Sequence, residues 1–196
     1  MRTANRDPNK IRITKQFVDR WSARYDKDYS DSEDCQVEQR LKAWLAQQKE
    51  PKFLDREHFK DIAMWKSRRP KRHYEKNDGA FVRQVTEHAF GATDERLQLH
   101  ILMALDGVRV PVASTILHFA FPERYPIMDV RAVATLRRAG LWHRDDARSF
   151  TTKGWLEYVR VMRRHSRSLQ VHLRDLDKAL WAFDKFGPKP EEGQST

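Results

Sequence analysis

The segment 102–136, LMALDGVRVPVASTILHFAFPERYPIMDVRAVATL, constrains the fold most, because it specifies three consecutive helices and the connections between them. Apolar residues three and four positions apart predict a first helix that ends near Leu105. Asp106 and Gly107 end that helix, since glycine accepts the positive φ of a tight turn. Pro111 is tolerated in the first turn of the next helix, where its missing N–H would have no partner. The segment therefore begins with a hairpin of two short helices.

A loop and a candidate acid follow the second helix. Pro122 and Pro126 keep the loop FPERYPIM out of helical conformation, and Asp129 opens the third helix. A carboxylate at that position accepts hydrogen bonds from free backbone N–H groups and lies at the positive end of the helix dipole. Both effects lower the pKa of Asp129, so we expect it to be ionised at pH 7. The plain alternative is that Asp129 only caps its helix.

These motifs resemble the helix-hairpin-helix DNA glycosylases, the superfamily that includes the endonuclease three and adenine glycosylase enzymes. The letters LDGV at 105–108 match the start of the family's hairpin, and ASTIL at 113–117 matches its second helix. YPIMD at 125–129 matches the loop that carries the family's catalytic aspartate, and Asp129 follows Gly107 by 22 positions, as in that family. The resemblance covers the 35 residues of the segment, and the rest of the chain has only a compatible helical pattern.

The resemblance implies an all-α fold, a helix-hairpin-helix DNA glycosylase-like bundle of about eight to ten helices in two lobes. A single helical domain is expected over 14–186, with the hairpin at 97–121, the catalytic loop and helix at 122–139, and polar tails at 1–13 and 187–196. The one cysteine, Cys35, excludes the four-cysteine iron–sulfur cluster of some members. Helix starts are predicted at Thr14, at Ser32 or Asp31, at Asp55, Asp78 and Thr93, and at Thr151 or Thr152.

For function, the resemblance implies a monofunctional DNA glycosylase that hydrolyses the N-glycosidic bond of a modified or damaged base flipped out of double-stranded DNA. Asp129 is the catalytic residue in this interpretation. Pro111 stands where bifunctional members keep the lysine that forms a Schiff base, and Arg109 replaces the second hairpin glycine. The backbone N–H groups of the hairpin would bind phosphate, and these belong to Gly107, Val108, Arg109 and Val110. No cofactor or metal is expected, except that a monovalent cation can bridge such a hairpin and DNA.

A basic segment with interleaved aromatic residues, WKSRRPKRHYEK at 65–76, is a second candidate for DNA contact. Its cations would bind phosphates, and its rings would stack on unpaired or extruded bases as a wedge or pocket wall. The alternative is a solvated loop whose tryptophan belongs to the core. His118 and Tyr125 either line the base pocket or are structural. The candidates for phosphate contact are Lys66, Arg68, Arg69 and Arg72, and those for base contact are Trp65, His73 and Tyr74.

Composition limits the partners and the compartment. A formal charge of +10 and a pI near 9.9 favour a polyanion. The first residues have no apolar core and no run is long enough to span a membrane, so we expect a cytoplasmic, nucleoid-associated monomer that contacts DNA and no membrane.

Three other functions stay open. They are a non-catalytic helix-hairpin-helix DNA-binding protein, a bifunctional glycosylase/lyase whose amine is Lys66 or Lys153, and a helical interaction protein with no nucleic acid. The base is not specified by the sequence, so repair of an alkylated, oxidised or mismatched base and defence against modified viral DNA fit equally.

Overall fold

The computed structural model describes residues 11–50 and 52–189, apart from the side chain of Asp146, and in these residues every regular element is a helix. Nine helices have eight or more residues, and two are single turns, which confirms the predicted all-α class. The helices are α1 (Lys15–Tyr29), α2 (Glu33–Gln47), α3 (Arg56–Lys66), α4 (Lys71–Tyr74), α5 (Gly79–Gly91), α6 (Glu95–Leu102), α7 (Val110–Ala120), α8 (Val130–Arg138), α9 (Asp146–Ser149), α10 (Thr152–Leu169) and α11 (Leu173–Phe186).

Short polar side chains begin most of these helices at the predicted positions. Each cap accepts a hydrogen bond from the backbone N–H three residues later, which satisfies one of the unpaired donors of a helix start. One prediction was wrong by a residue: Asp94, not Thr93, caps α6 and accepts from Leu97 N at 2.8 Å. The confirmed caps are Thr14, Ser32, Asp55, Asp78 and Thr151.

The helices form two groups that pack on each other. In the first group, α3 contacts α2, α5 and α7, and α6 contacts α5 and α7. In the second group, α11 contacts α1, α8 and α10, so the first helix of the chain joins the last ones. Helix α10 bridges the groups through α6 and α7. A cleft between the groups is therefore lined by residues from both ends of the chain.

Helix α7 is the central helix of the core. All of its residues are buried except Pro111, which is half-buried. The small residues of ASTIL let neighbouring helices approach closely, and the fully buried rings of Trp155, Tyr158 and Phe59 belong to the same core. The hairpin helix is thus held rigidly by the interior of the protein.

Two residues of the predicted N-terminal tail contact the helical domain. Ile11 N donates to Arg138 O at 3.3 Å, and Ile13 packs against the core, because the apolar side chain gains by burial. The remainder of the predicted tails, 1–10 and 190–196, lies outside the described residues. Within the described ranges, no helix has both the length and the apolar character that crossing a bilayer requires.

Candidate functional site

The turn between α6 and α7 requires a glycine. Gly107 has φ +81°, and a Cβ there would lie 2.9 Å from both His73 Cβ and the Tyr74 ring. Any larger residue would have to displace α4, because this distance is shorter than real Cβ contacts. The close approach brings the basic segment directly against the hairpin turn.

Asn77 fixes that contact with hydrogen bonds. Its side chain is buried, Nδ2 donates to Asp106 O and to Tyr74 O at 3.1 Å each, and Oδ1 accepts from Asp106 N at 2.8 Å. The Asn77 amide thus makes hydrogen bonds with backbone groups on both sides of the contact. These bonds also satisfy the polar atoms of the side chain, as burial requires. The sequence pattern does not indicate a role for Asn77, because an asparagine before a helix cap is not distinctive.

Three of the four predicted backbone donors of the hairpin are available. The N–H groups of Gly107 and Arg109 have no acceptor among the described residues, and Val110 is the first residue of α7, where no intrahelical acceptor exists. Val108 is a correction, since its N–H donates to Leu105 O at 3.1 Å and closes the turn. Three donors at one helix end form a suitable anion site.

Exposed basic residues lie on the segment whose His73 and Tyr74 pack on Gly107. They are Arg69, Arg72 and His73 itself. The Arg68 guanidinium lies 3.6–3.7 Å from Asp34 and Glu33, but its side chain is 68% exposed, so this pairing is weak. We call the hairpin donors together with Arg69, Arg72 and Arg109 the hairpin surface.

Lys66 does not belong to that surface, contrary to the prediction that it contacts phosphate. It ends α3, its side chain is only 9% exposed, and Nζ lies 2.5 Å from Asp129 Oδ2. The physical reason is that the last turn of α3 directs this one cation inward, where a carboxylate compensates its buried charge. A residue chosen for its place in a basic run therefore lies beside the candidate catalytic acid.

Asp129 caps α8 as predicted. Its Oδ1 accepts from Arg131 N at 2.9 Å, and its side chain is 24% exposed. Burial raises the pKa of Asp129, but the charge and hydrogen bond of Lys66 and the Arg131 N–H outweigh burial, so the pKa lies below its ordinary value. The predicted direction is confirmed. The sequence did not identify the contribution of Lys66, because this residue lies 63 positions earlier in the chain.

Side chains from both helix groups hold the loop that leads to Asp129. Ser114 Oγ accepts from Met128 N at 3.0 Å, and Asp177 Oδ2 accepts from Ile127 N at 2.7 Å. Ser114 lies four residues after Val110, which is about 6 Å along the axis of α7. The loop carrying the acid is thus anchored about one helical turn from the hairpin end.

A cavity of about 200 Å³ opens beside Asp129 and Lys66, between the two helix groups. Tyr25 and Tyr29 of α1 stack with their centroids 4.8 Å apart, and Trp181 of α11 meets both rings edge-on. Asp177 also lines the cavity. None of these four residues was predicted, because they come from the two ends of the chain and lie on helix faces whose pattern is ordinary for a core.

Arg174 lines the same cavity and is held in place by Glu38 of α2. Nη2 of Arg174 lies 2.8 Å from Glu38 Oε2, and the guanidinium lies over the rings of Tyr25 and Trp65. Burial raises the pKa of Glu38, but the charges of Arg174 and Lys42 outweigh burial and lower the pKa to about 2. This ion pair fixes the Arg174 guanidinium in the cavity wall and compensates its charge.

The predicted base-contacting residues fall into three different environments. Trp65 lines the cavity, but Nε1 donates to Asp34 O at 2.9 Å and its ring packs on Phe119, so it can form a wall and not a mobile wedge. His73 is exposed beside the hairpin. For these two, the expectation of base contact remains a prediction.

Tyr74, His118 and Tyr125 are corrections, because all three are buried in the core and do not line the cavity. Tyr74 packs under Gly107, and His118 Nδ1 lies 2.8 Å from Tyr125 O. Burial lowers the pKa of His118 to about 3, so its ring is uncharged at neutral pH. His118 and Tyr125 thus follow their structural alternative, and Tyr74 is a further core ring, since large rings at helical spacing fill the core.

Chemically, the site combines an ionised carboxylate, an amine, a second carboxyl group and aromatic walls. In the part of the chain that the structure describes, no three His, Cys, Asp or Glu side chains converge to hold a metal ion. Comparisons of the chain with protein-family models, with curated proteins and with solved structures found no match.

Proposed function

We propose that this protein is a DNA glycosylase that cleaves the N-glycosidic bond of a modified or damaged base, with Asp129 as the catalytic carboxylate. The observation that carries the proposal is the position of this ionised acid: it borders a cavity, and the loop before it is anchored to α7 about one helical turn from the hairpin with its free backbone donors. A plain helix cap needs neither the cavity nor a buried lysine partner.

The chemistry that fits Asp129 is stabilisation of positive charge. Breaking the bond between the sugar and the base leaves an oxocarbenium-like cation at C1′, which a fixed carboxylate stabilises. The same carboxylate accepts the proton of the water that attacks C1′. The base must first leave the stack, because its bond is inaccessible within the duplex. The cavity beside Asp129 would receive it.

The hairpin surface would hold the backbone of double-stranded DNA. Free N–H groups at the start of α7 bind phosphate oxygens, and Arg69, Arg72 and Arg109 add charge without reading sequence. A monovalent cation can bridge the hairpin carbonyls and a phosphate in the same arrangement. We propose a monomer, because one hairpin surface and one cavity complete the site.

A second candidate function, a bifunctional glycosylase/lyase, is favoured by Lys66. Its ammonium group neutralises Asp129 at 2.5 Å, so a hydrolytic enzyme must separate the pair before the carboxylate faces a sugar cation. In the lyase, Lys66 gives its proton to Asp129 and attacks C1′ as the base leaves with the bonding electrons. Ring opening then yields an imine. Lys153, the other candidate amine, is exposed on α10 and does not line the cavity.

The test is a panel of duplexes that each carry one alkylated, oxidised, deaminated or bulky modified base, scored for abasic sites by alkali cleavage. We expect release of at least one base by the wild type, and loss of release by about 10²- to 10⁴-fold in Asp129→Asn with unchanged DNA binding. Asparagine keeps the helix cap but leaves Lys66 without its counter-charge, so thermal unfolding must first show that the variant is folded. Full activity of this variant would exclude the assignment.

Two further outcomes separate the alternatives. DNA binding without base release would indicate a non-catalytic binding protein, and negligible, salt-independent binding would indicate a protein that does not act on nucleic acid. Borohydride trapping of a protein–DNA adduct decides the lyase question. An adduct that persists in Lys153→Met and disappears in Lys66→Met would assign the amine, and no adduct in the wild type would leave the hydrolytic mechanism.

A further inference from the structure

Asp177 on α11 is a buried acid that the proposed mechanism does not yet use. Its side chain is 3% exposed, and it lines the same cavity as Asp129 and Lys66. Oδ2 accepts from Ile127 N at 2.7 Å, and Oδ1 lies 3.3 Å from the Tyr158 hydroxyl. Because this carboxyl group is held firmly next to a candidate reaction site, its protonation state decides what chemistry it can supply there.

The hydrogen bonds indicate which oxygen of Asp177 carries the proton. The short hydrogen bond from Ile127 N favours the carbonyl form of Oδ2, so we place the proton of the neutral acid on Oδ1. The Tyr158 hydroxyl has one proton and two acceptors, Ile127 O at 3.1 Å and Asp177 Oδ1 at 3.3 Å. When it donates to the closer acceptor, its oxygen can accept the Oδ1 proton, and a base bound in the cavity that Asp177 lines would take that proton in its place.

The charges around Asp177 leave it partly protonated near neutral pH. Burial raises its pKa to about 7, and the positive charges of Arg174 on its own helix and Lys66 on α3 reduce that effect. The other titratable groups that face it are Tyr158 of α10, Asp129 before α8, and Tyr25 of α1 across Arg174. Two carboxyl groups in one cavity thus have pKa values displaced in opposite directions, an arrangement typical of acid–base pairs.

The cavity walls suit a single planar ring system. Tyr25, Tyr29 and Trp181 give the cavity aromatic walls, and Arg174 and Lys185 lie over the Tyr25 and Tyr29 rings, so these walls would contact a base through ring edges and cations. A volume of about 200 Å³ is below the roughly 300–1,000 Å³ of sites for drug-sized ligands, so a base fits better than a whole nucleotide. Asp177 is then the proton donor within reach of the base, and Asp129 is the carboxylate left for the sugar.

We propose that Asp177 is the general acid that protonates the departing base, and that the substrates are neutral bases presenting an unprotonated ring nitrogen or carbonyl oxygen. The inference rests on the proposed glycosylase function. The C1′–N bond breaks with its electron pair moving to the base, and Asp177 Oδ1 gives its proton to that nitrogen or oxygen. Water adds to C1′ and loses its proton to Asp129. Asp177 regains a proton from solvent after the base has left.

The experiment compares bases that need a proton with a base that does not. Single-turnover release is measured from duplexes carrying 8-oxoguanine, hypoxanthine or uracil, which are neutral, and from a duplex carrying 7-methylguanine, which is already cationic. In Asp177→Asn we expect release of the neutral bases to fall about 100-fold and release of 7-methylguanine to stay within about threefold of wild type. The wild-type rate on a neutral base should fall about tenfold per pH unit above pH 7, and the variant should lose this decline.

Controls separate a chemical role from a structural one. Asparagine can still accept from Ile127 N through its carbonyl oxygen, and thermal unfolding checks that the variant is folded. Tyr158→Phe removes the neighbouring hydroxyl but keeps the acid, so it should leave the ratio of neutral to cationic release unchanged.

Three results would overturn the role of Asp177 while leaving the proposed function intact. They are equal losses on neutral and cationic bases in Asp177→Asn, release of 7-methylguanine alone by the wild type, and a wild-type rate on neutral bases that does not decline above pH 7. In each case release would still depend on Asp129. If the wild type releases no base at all, the proposed function itself fails, and this inference fails with it.

Discussion

A buried acid that is protonated in the folded state has a measurable effect on stability, and Asp177 allows a sharp prediction. In the unfolded chain the Asp177 carboxyl titrates near its ordinary pKa of 3.8, and in the folded protein it titrates at about 7. The folded state therefore binds the proton more tightly. As pH rises from about 4 to about 7, the unfolded state gains from ionisation while the folded state does not, so stability is lost over this interval.

The magnitude follows from the displacement of the pKa. Each pKa unit corresponds to about 1.36 kcal/mol, so a displacement of about 3 units destabilises the protein by up to about 4 kcal/mol above pH 7. At pH 5.5 the loss is about half of that value. Asp177→Asn abolishes the titration and keeps an acceptor for Ile127 N, so its stability relative to wild type should increase by about 2 kcal/mol between pH 5.5 and pH 8.

Urea unfolding of both proteins at pH 5.5 and pH 8 measures this difference. Asp175→Asn is the matched control, because Asp175 lies on the same helix but is only half-buried and has no part in the cavity hydrogen bonds. Its effect should be nearly independent of pH in this range. If the gain of Asp177→Asn is the same at both pH values, the folded protein does not hold a proton on this acid and the reasoning is refuted.

Three other predictions follow from the same contacts. Glu38→Gln leaves its buried arginine partner without a counter-charge and should cost about 3 kcal/mol at pH 7. Because the folded pKa of Glu38 is depressed, this cost is present above pH 4.5 and shrinks below about 1 kcal/mol by pH 2.5 in urea unfolding; a constant cost would contradict it. Gly107→Ala should destabilise by more than about 1 kcal/mol through its positive φ and its contact with α4, whereas Gly91→Ala, with open space around it, should be neutral or stabilising; equal thermal shifts would refute the packing argument. Arg109→Ala should reduce the slope of log K against log salt for duplex binding by about 0.9, and Lys15→Ala should leave it unchanged; equal slopes would remove Arg109 from the proposed interface.

Local signals explain what the sequence predicted well. The caps, the hairpin turn and the start of α8 each depend on residues within about four positions of one another, so pattern and turn chemistry suffice to find them. The miss at α6 has the same origin, because Thr93 and Asp94 are adjacent capping residues and pattern alone does not rank them.

Contacts between distant residues explain what the sequence did not predict. In the sequence, Lys66 is one cation among several in a basic segment, and only the packing of α3 distinguishes it from Arg69 and Arg72. Tyr25 and Trp181 meet across almost the whole length of the chain. Tyr25 and Trp181 each lie on a helix whose apolar face has the sequence pattern of an ordinary core helix. The composition of a cavity depends on how helices assemble, and helical periodicity contains no information about that.

The charged groups of the cavity reduce the stability of the fold, and this loss indicates that they have a chemical function. Replacing a buried ion pair by well-packed apolar residues is often neutral or stabilising, so the pairing of Lys66 with Asp129 is weak evidence for a structural role. Asp177 is destabilising above pH 7 by the reasoning given above, and nothing in its hydrogen bonds requires an acid where an asparagine would serve. A chain that needed only a stable interior would gain by losing these groups. The proposed glycosylase needs both carboxyl groups, one ionised beside the sugar and one protonated beside the base, so Asp177→Asn should gain stability at pH 8 and lose base release in the same protein.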